Sequence, residues 1–443
     1  MSKHNLITRT PAAKAILVLA ILALAIPIFW IEHNILTHTQ GTISYPLDDS
    51  FLNMTLAKNF AFDHIWSVNR YSFTFASTSL LYPFVLAILF LVTGASLYVP
   101  LLLNTAAAIY LLIRLQRWLI NQDIRPLSQL LILLAVIYLT PLPLLVISGM
   151  EYTLELLFTF LFIASFTAKT KSVYLYAILM VTSSYQTLPI LVIACILLSI
   201  RRNWWDAAKL LFIALLPLYL VGLFAITKHN YFVPTPLVVT GGLSLNTYAL
   251  GFLIGCAAAV GGAWVLNGRR NRKYYFVFAS LAGLLLIRSI TTMTQAAPTC
   301  IATYTAQYQA AKFVYDYYYS EPIAANDLGA LSFISTDRTR IVDLDGLSNF
   351  EVLDRKRIHN WTPEAADSLS ERMNANIAIL HHSWTDAEVE PYWYRIATWQ
   401  TPNDSLSFYS IDRRYIEKLQ TNMHAFEPKL PPGVTVRYYP PID

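Results

Sequence analysis

The sequence predicts a mostly α-helical membrane protein, with about nine transmembrane helices and interfacial helices in the first outer loop, followed by a small α/β soluble domain. Three observations carry that expectation. The 443 residues are 56% apolar and only 13% charged, against roughly 25% charged in soluble domains. The charges separate by sign. Residues 1–292 hold 19 Lys and Arg against 8 Asp and Glu, whereas residues 293–443 hold 13 against 19. The basic residues of the first part fall in short loops between apolar runs, as the positive-inside rule requires. These features exclude a wholly soluble enzyme and a nucleic-acid binder.

The division expected is a polytopic membrane domain over 1–292 and an extracytoplasmic domain over 293–443. The first apolar run, Ala15 to Ile31, follows Lys3, Arg9 and Lys14 and ends in Trp30, Ile31 and Glu32. No small-residue cleavage site follows, so it reads as an uncleaved anchor with a cytoplasmic N-terminus. Further crossings are expected near 96–113, 128–147, 153–168, 173–185, 187–200, 208–227, 249–266 and 274–292. The inner loops then carry Arg114, Arg117 and Arg125; Lys169 and Lys171; Arg201, Arg202 and Lys209; and Arg269, Arg270, Arg272 and Lys273. Residues 79–93 are apolar but short and contain Pro83. Counting them as a crossing would place the basic loops outside, so they are expected to lie along the interface.

In the tail, the runs IAANDLGAL, RIVDLDGL, IAILHH and VTVRYY read as strands, with helices over 305–319, 363–374 and 412–425. The three cysteines, Cys195, Cys256 and Cys300, form no zinc spacing and no disulfide framework. Aromatic residues are abundant, with 27 Tyr, 23 Phe and 10 Trp, and many fall where an interfacial belt would place them.

Chemistry-bearing residues gather on the outer side. Asp48 and Asp49 are adjacent just past the first helix. Such a pair can hold a divalent cation (Mg or Mn), or one carboxylate can act as a general base, since neighbouring like charges raise each other's pKa. The structural alternative is that Asp48 caps the helix SFLNMTLAKNFA, with Asp49 in its first turn. Glu151 lies in the second outer turn, Ser148-Gly149-Met150-Glu151, and Glu155 lies one helical turn deeper, where a carboxylate is costly and a functional candidate by default. Arg288 near the outer end of the last helix either snorkels to the interface or binds a phosphate, which a guanidinium matches in a bidentate way. Arg70, Lys228 and His229 are further candidates for that role. His381 and His382 end a predicted strand and read as structural.

The segments YPLDDSFLNMTLAKNFA, STSLLYPFVLAILFLVTG and SGMEYTLELLF together resemble the GT-C superfamily of polytopic glycosyltransferases, in particular a bacterial branch related to arabinofuranosyltransferases. NDLGALSF and IVDLDGLSN resemble a pattern in that branch's soluble domain. Two stretches depart from the family pattern, at Ser184-Tyr185-Gln186-Thr187 and Pro234-Thr235-Pro236. The resemblance implies an inverting glycosyltransferase of the cytoplasmic membrane, acting on its outer face. The donor would be a polyprenyl-phosphate-linked sugar, and the acceptor a cell-envelope glycan, glycolipid or glycoprotein. It further implies Asp48 as the preferred base, Asp49 as its neighbour or a metal ligand, and Glu151 as a second acidic group. A transporter or flippase of a lipid-linked precursor, or a non-catalytic membrane scaffold, are the alternatives. Transporters tend to place charges at mid-membrane and to repeat their halves. Here the charges collect in outer loops and no repeat is evident.

Overall fold

A computed structural model describes residues 11–69, 71–239, 272–335, 339–381, 389–401 and 404–440. Among these, three helices are long and apolar enough to cross a membrane: Pro11–His38, Tyr98–Asn121 and Trp204–Thr227. Shorter apolar helices, Pro126–Leu139, Tyr152–Thr167, Val173–Ser183 and the stretch Tyr185–Ile200, lie at other positions where crossings were expected. The segment expected at 249–266 lies outside the described residues. The one expected at 128–147 is two helices, Pro126–Leu139 and Leu142–Ile147, because Pro141 and Pro143 interrupt the backbone ladder there. Apolar side chains such as Leu19, Phe29 and Trp205 stand uncovered on the outer faces of the bundle, the surface that a lipid-facing helix presents.

The first outer loop holds two helices, Asp48–Asp63 and Leu81–Thr93, where interfacial helices were expected. The last long helix, Arg272–Thr303, runs through the 292/293 boundary. It continues by a wide π turn, Tyr304–Tyr308, into the helix Gln309–Tyr317.

The tail is built on a mixed sheet of six strands: β1 (Ile323–Ala325), β2 (Ile341–Asp343), β3 (Ile377–His381), β4 (Tyr394–Gln400), β5 (Ser405–Ser410) and β6 (Thr435–Tyr438), in the order β2-β1-β3-β5-β4-β6. The three strands β2, β1 and β3 are parallel and the remaining pairings antiparallel. Strand alternation sorts the side chains between two layers. Ile323, Ala325, Ile377, Ile379 and Phe408 face a core with Phe313, Trp399 and Phe426. Ala324, Ala378, Leu380 and Tyr409 face the opposite one with Val352, Ala366 and Leu369. The first core is continuous with buried residues of the helix Asp48–Asp63, so the helical part and the tail share one apolar interior.

Two expectations for the tail are corrected. The run IAANDLGAL is a strand only as far as Ala325, after which Gly329–Ser335 is a helix. The ladder stops because the Asn326 side chain takes over from the backbone: its Nδ2 donates to His381 O at 2.7 Å, and its Oδ1 accepts from His381 N at 2.8 Å. In addition, β4, β5 and the helix Phe350–Arg357 were not foreseen. Asn349 caps that helix by accepting from Glu351 N at 3.1 Å.

Candidate active site

The helix Asp48–Asp63 has two working faces, set by its sequence period. Asp48, Phe51, Thr55 and Lys58 recur at three- and four-residue spacing and so share one face. All four meet the tail helix Gly329–Ser335. Asp48 Oδ2 accepts from Gly329 N at 2.6 Å, and its Oδ1 from Ala330 N at 3.0 Å. The Phe51 ring lies 6.4 Å from that of Phe333. The Thr55 and Ser332 hydroxyls are 3.0 Å apart, and Lys58 Nζ donates to Phe333 O at 2.7 Å. A carboxyl group thus accepts at the N–H end of the tail helix and an ammonium donates at its C=O end, which satisfies orphan groups at both ends.

The expectation that Asp48 caps its own helix is therefore corrected. The N-cap is Leu47, with no side-chain cap bond. Asp48 caps a helix 281 residues further along the chain.

On the neighbouring face, Ser50 Oγ donates to Ser148 O at 2.6 Å, and Asn53 Nδ2 to Glu151 Oε2 at 3.3 Å. Thr78 Oγ1 donates to Glu151 Oε1 at 3.2 Å, while Ser77 holds Asn53 by donating to its Oδ1 at 2.6 Å. The turn itself is clasped from three sides. Tyr82 donates its hydroxyl to Gly149 O at 2.8 Å, Asn104 Nδ2 donates to Met150 O at 2.9 Å, and the Tyr45 ring lies against Gly149. Gly149 has φ +68°, which L side chains rarely adopt. Glu151 is buried and within electrostatic reach of Asp49. Glu155, buried one turn further, neighbours Glu151 and Ser184.

Asp327, from the turn after β1, completes the cluster. Gln307 Nε2 donates to its Oδ2 at 2.5 Å, and its carboxyl is hydrogen-bonded to Asp48. Burial first, then Asp327, pushes the Asp48 pKa well above the usual carboxylate range. A cavity of about 20 Å³ lies between them, lined also by Gln307, Ala330 and Leu331. Asp49 differs in access: it is exposed to solvent. Partial desolvation by the protein around it, then the Asp327 carboxylate, raises its pKa.

The acidic residues come together, and the basic candidates sit elsewhere. Arg288 is half-buried on the helix Arg272–Thr303. The hydroxyls of Thr291 and Thr292 donate to its carbonyl, and these two threonines line a cavity of about 210 Å³ that Pro46 also borders. Lys228 Nζ stands 5.6 Å from the centre of the Phe224 ring, which in turn packs on Phe73. Lys228 and His229 are both exposed. Arg70 and His382 lie outside the described residues. His381 pairs with Asp404 through Nε2, and that hydrogen bond raises its pKa.

The donor set does not fit a divalent cation held by Asp48 and Asp49. Both oxygens of Asp48 already accept backbone N–H groups, and no three His, Cys, Asp or Glu side chains gather at ligand spacing among the described residues.

The residues missed in the sequence are Asp327, Gly329 and the donors Asn53, Ser77 and Thr78. The available signal was the Asn-Asp-Leu-Gly interruption of an apolar run, a turn pattern.

Residues 296–416 match a family described as a domain of unknown function, DUF8728. No curated protein and no solved structure matches the chain. The matched stretch contains Asp327 and Gly329 but not Asp48, so the family's portion is the tail alone, met here by an acidic helix from outside it.

Proposed function

We propose that the chain is an integral-membrane glycosyltransferase that moves a sugar from a polyprenyl-phosphate donor to a cell-envelope acceptor on the outer membrane face, with inversion. The observation that carries this reading is the pairing of one solvent-accessible carboxylate, Asp49, with a rigid acidic surround from Asp48, Glu151 and Asp327. An accessible carboxylate of raised pKa is suited to take a proton from a hydroxyl. In this reading Asp49, rather than Asp48, is the base. The acceptor oxygen attacks the anomeric carbon as Asp49 takes its proton, the bond to the polyprenyl phosphate breaks, and the phosphate leaves with the electron pair. This reading assigns that phosphate to Arg288, which lies on the same helix as Thr291 and Thr292 of the cavity bordered by Pro46.

The test is sugar transfer by purified protein from a panel of polyprenyl-phosphate sugars, with Asp49→Ala as the comparison. The reading expects transfer by the wild type and its loss in the variant, with donor binding retained. Equal transfer by both would remove Asp49 from the chemistry. Donor binding with transfer in neither would favour a second reading, supported by the clasp of Asp48 and Lys58 on the tail helix: a membrane scaffold whose acidic motif joins two parts of the chain.

A further inference from the structure

One cavity lies far from the acidic centre. It measures about 560 Å³ and opens where the helix Tyr152–Thr167 ends, about 24 Å from Glu151 at 1.5 Å per residue. Lys169, Lys171 and Arg201 line it, with Ser165, Asn203 and Asp206. The three cations are exposed. The carboxylate in the recess, Asp206, is engaged by Asn203 Nδ2 at 2.6 Å. Ser165 and Thr170 line the recess too, held together through Ser172, whose hydroxyl is 2.8 Å from that of Thr170 and donates to Ser165 at 3.2 Å. Basic loops on one side of a membrane protein follow from topology alone. Topology does not account for a recess that gathers them over hydroxyl groups.

A second cavity, about 530 Å³, flanks the same two helices, Leu188–Ile200 and Trp204–Thr227. Its lining is apolar, from Val192, Ile196, Ile200, Trp204 and Leu211. Ile200 lines this groove while Arg201 lines the basic recess, and Leu211 and Leu210 divide in the same way. Consecutive residues therefore set a cationic, hydroxyl-rich recess and an apolar groove on neighbouring faces at the same end of the helix pair. The juxtaposition matches the two halves of one ligand, an anionic head and a hydrocarbon chain.

We propose that this end of the bundle is a binding site for an anionic glycerophospholipid. Its phosphate would lie among Lys169, Lys171 and Arg201, and an acyl chain along Ile196, Ile200 and Trp204. Basic pockets between membrane helices hold lipid head groups through these interactions, and a guanidinium adds bidentate contacts to phosphate. The site is independent of the proposed transfer reaction, since no residue of the acidic centre takes part.

The test is native mass spectrometry of the full-length protein with phosphatidylglycerol, phosphatidylcholine and free glycerol phosphate. Wild-type protein is expected to retain phosphatidylglycerol in preference to phosphatidylcholine. The triple variant Lys169→Gln, Lys171→Gln, Arg201→Gln should lose that preference by about tenfold or more. Asp206→Asn, which removes the opposing charge, should strengthen it. Ser199→Trp, which fills the groove, should weaken phosphatidylglycerol retention with all three cations in place. Equal retention of both lipids by the wild type would overturn the site. Displacement of phosphatidylglycerol by glycerol phosphate at equal concentration would overturn the lipid assignment in favour of a soluble phosphate. These wild-type arms decide the matter even if a variant does not fold.

Discussion

The carboxyl group of Asp48 occupies the space where a side chain on Gly329 would begin: a β-carbon built there would lie 2.0 Å from Asp48 Oδ1. Two segments far apart in sequence are thus fitted to each other with no room for one added carbon. Gly329→Ala is expected to displace the carboxylate and cost about 1–3 kcal/mol, as overpacking does. Thermal unfolding of the purified variant, read beside limited proteolysis at the tail, measures it. Unchanged melting and cleavage would show that the contact contributes nothing.

Asp48→Ala should act on stability more directly than on chemistry. It leaves the N–H groups of Gly329 and Ala330 without their acceptor, at about 1–3 kcal/mol for a buried donor. Asp49→Asn is expected to leave melting nearly unchanged and to lower transfer roughly 10²–10⁴-fold, the contribution of a general base. Determining both quantities for both variants separates a clasp from a base. The reverse pattern would return the role of base to Asp48.

The junction should weaken as pH rises. The native pKa of Asp48 is raised, chiefly by burial and then by Asp327. The folded state therefore keeps a proton that the unfolded chain releases near pH 4. Stability is full below that unfolded value and falls as pH climbs through the raised native one. Melting followed from pH 5 to pH 9 is expected to decline, and Asp327→Asn, which removes the neighbouring like charge, should reduce the decline. A junction that loosens toward acid instead would contradict the raised Asp48 pKa.

Two glycines separate backbone strain from steric conflict. Gly41 and Gly149 have φ of +78° and +68°. A β-carbon at Gly41 meets nothing within 4 Å, whereas at Gly149 it would lie 2.4 Å from the Tyr45 ring. Gly41→Ala is expected to cost about 1 kcal/mol from backbone conformation alone. Gly149→Ala should cost more by about 1–3 kcal/mol, because the ring must also move. Equal melting shifts for the two would show that the turn accommodates the ring.

What was legible in the sequence followed the rules of chain-local patterning. The apolar runs gave the helices, and the alternation of Ile323, Ala324 and Ala325 or of Ile377, Ala378 and Ile379 marked strands whose two faces enter different cores. The Asp48–Asp49 pair and Glu151 stood out as acidic groups near apolar helices, and the fold brings them together. Pairings across great sequence distance were not legible. Asp48 and Gly329 each have a sufficient local explanation, as a helix start and a break in an apolar run, and neither reveals the other. Local patterning likewise did not show Asn53 as the donor to Glu151, since an Asn on a polar helix face is unremarkable until the turn beside it is placed.

The helix Arg272–Thr303 enters the tail through the wide turn Tyr304–Tyr308, with no loop between. The Tyr304 hydroxyl donates to Gln40 Oε1 at 3.4 Å, just past the end of the first long helix. The tail is thus fastened at its root as well as at Asp48. A body pinned at two separated points has lost the freedom to swivel. Rocking of the last long helix would be carried to the sheet as through a lever, and the wider winding of the π turn, one residue looser than an α-helical turn, is where that lever has slack.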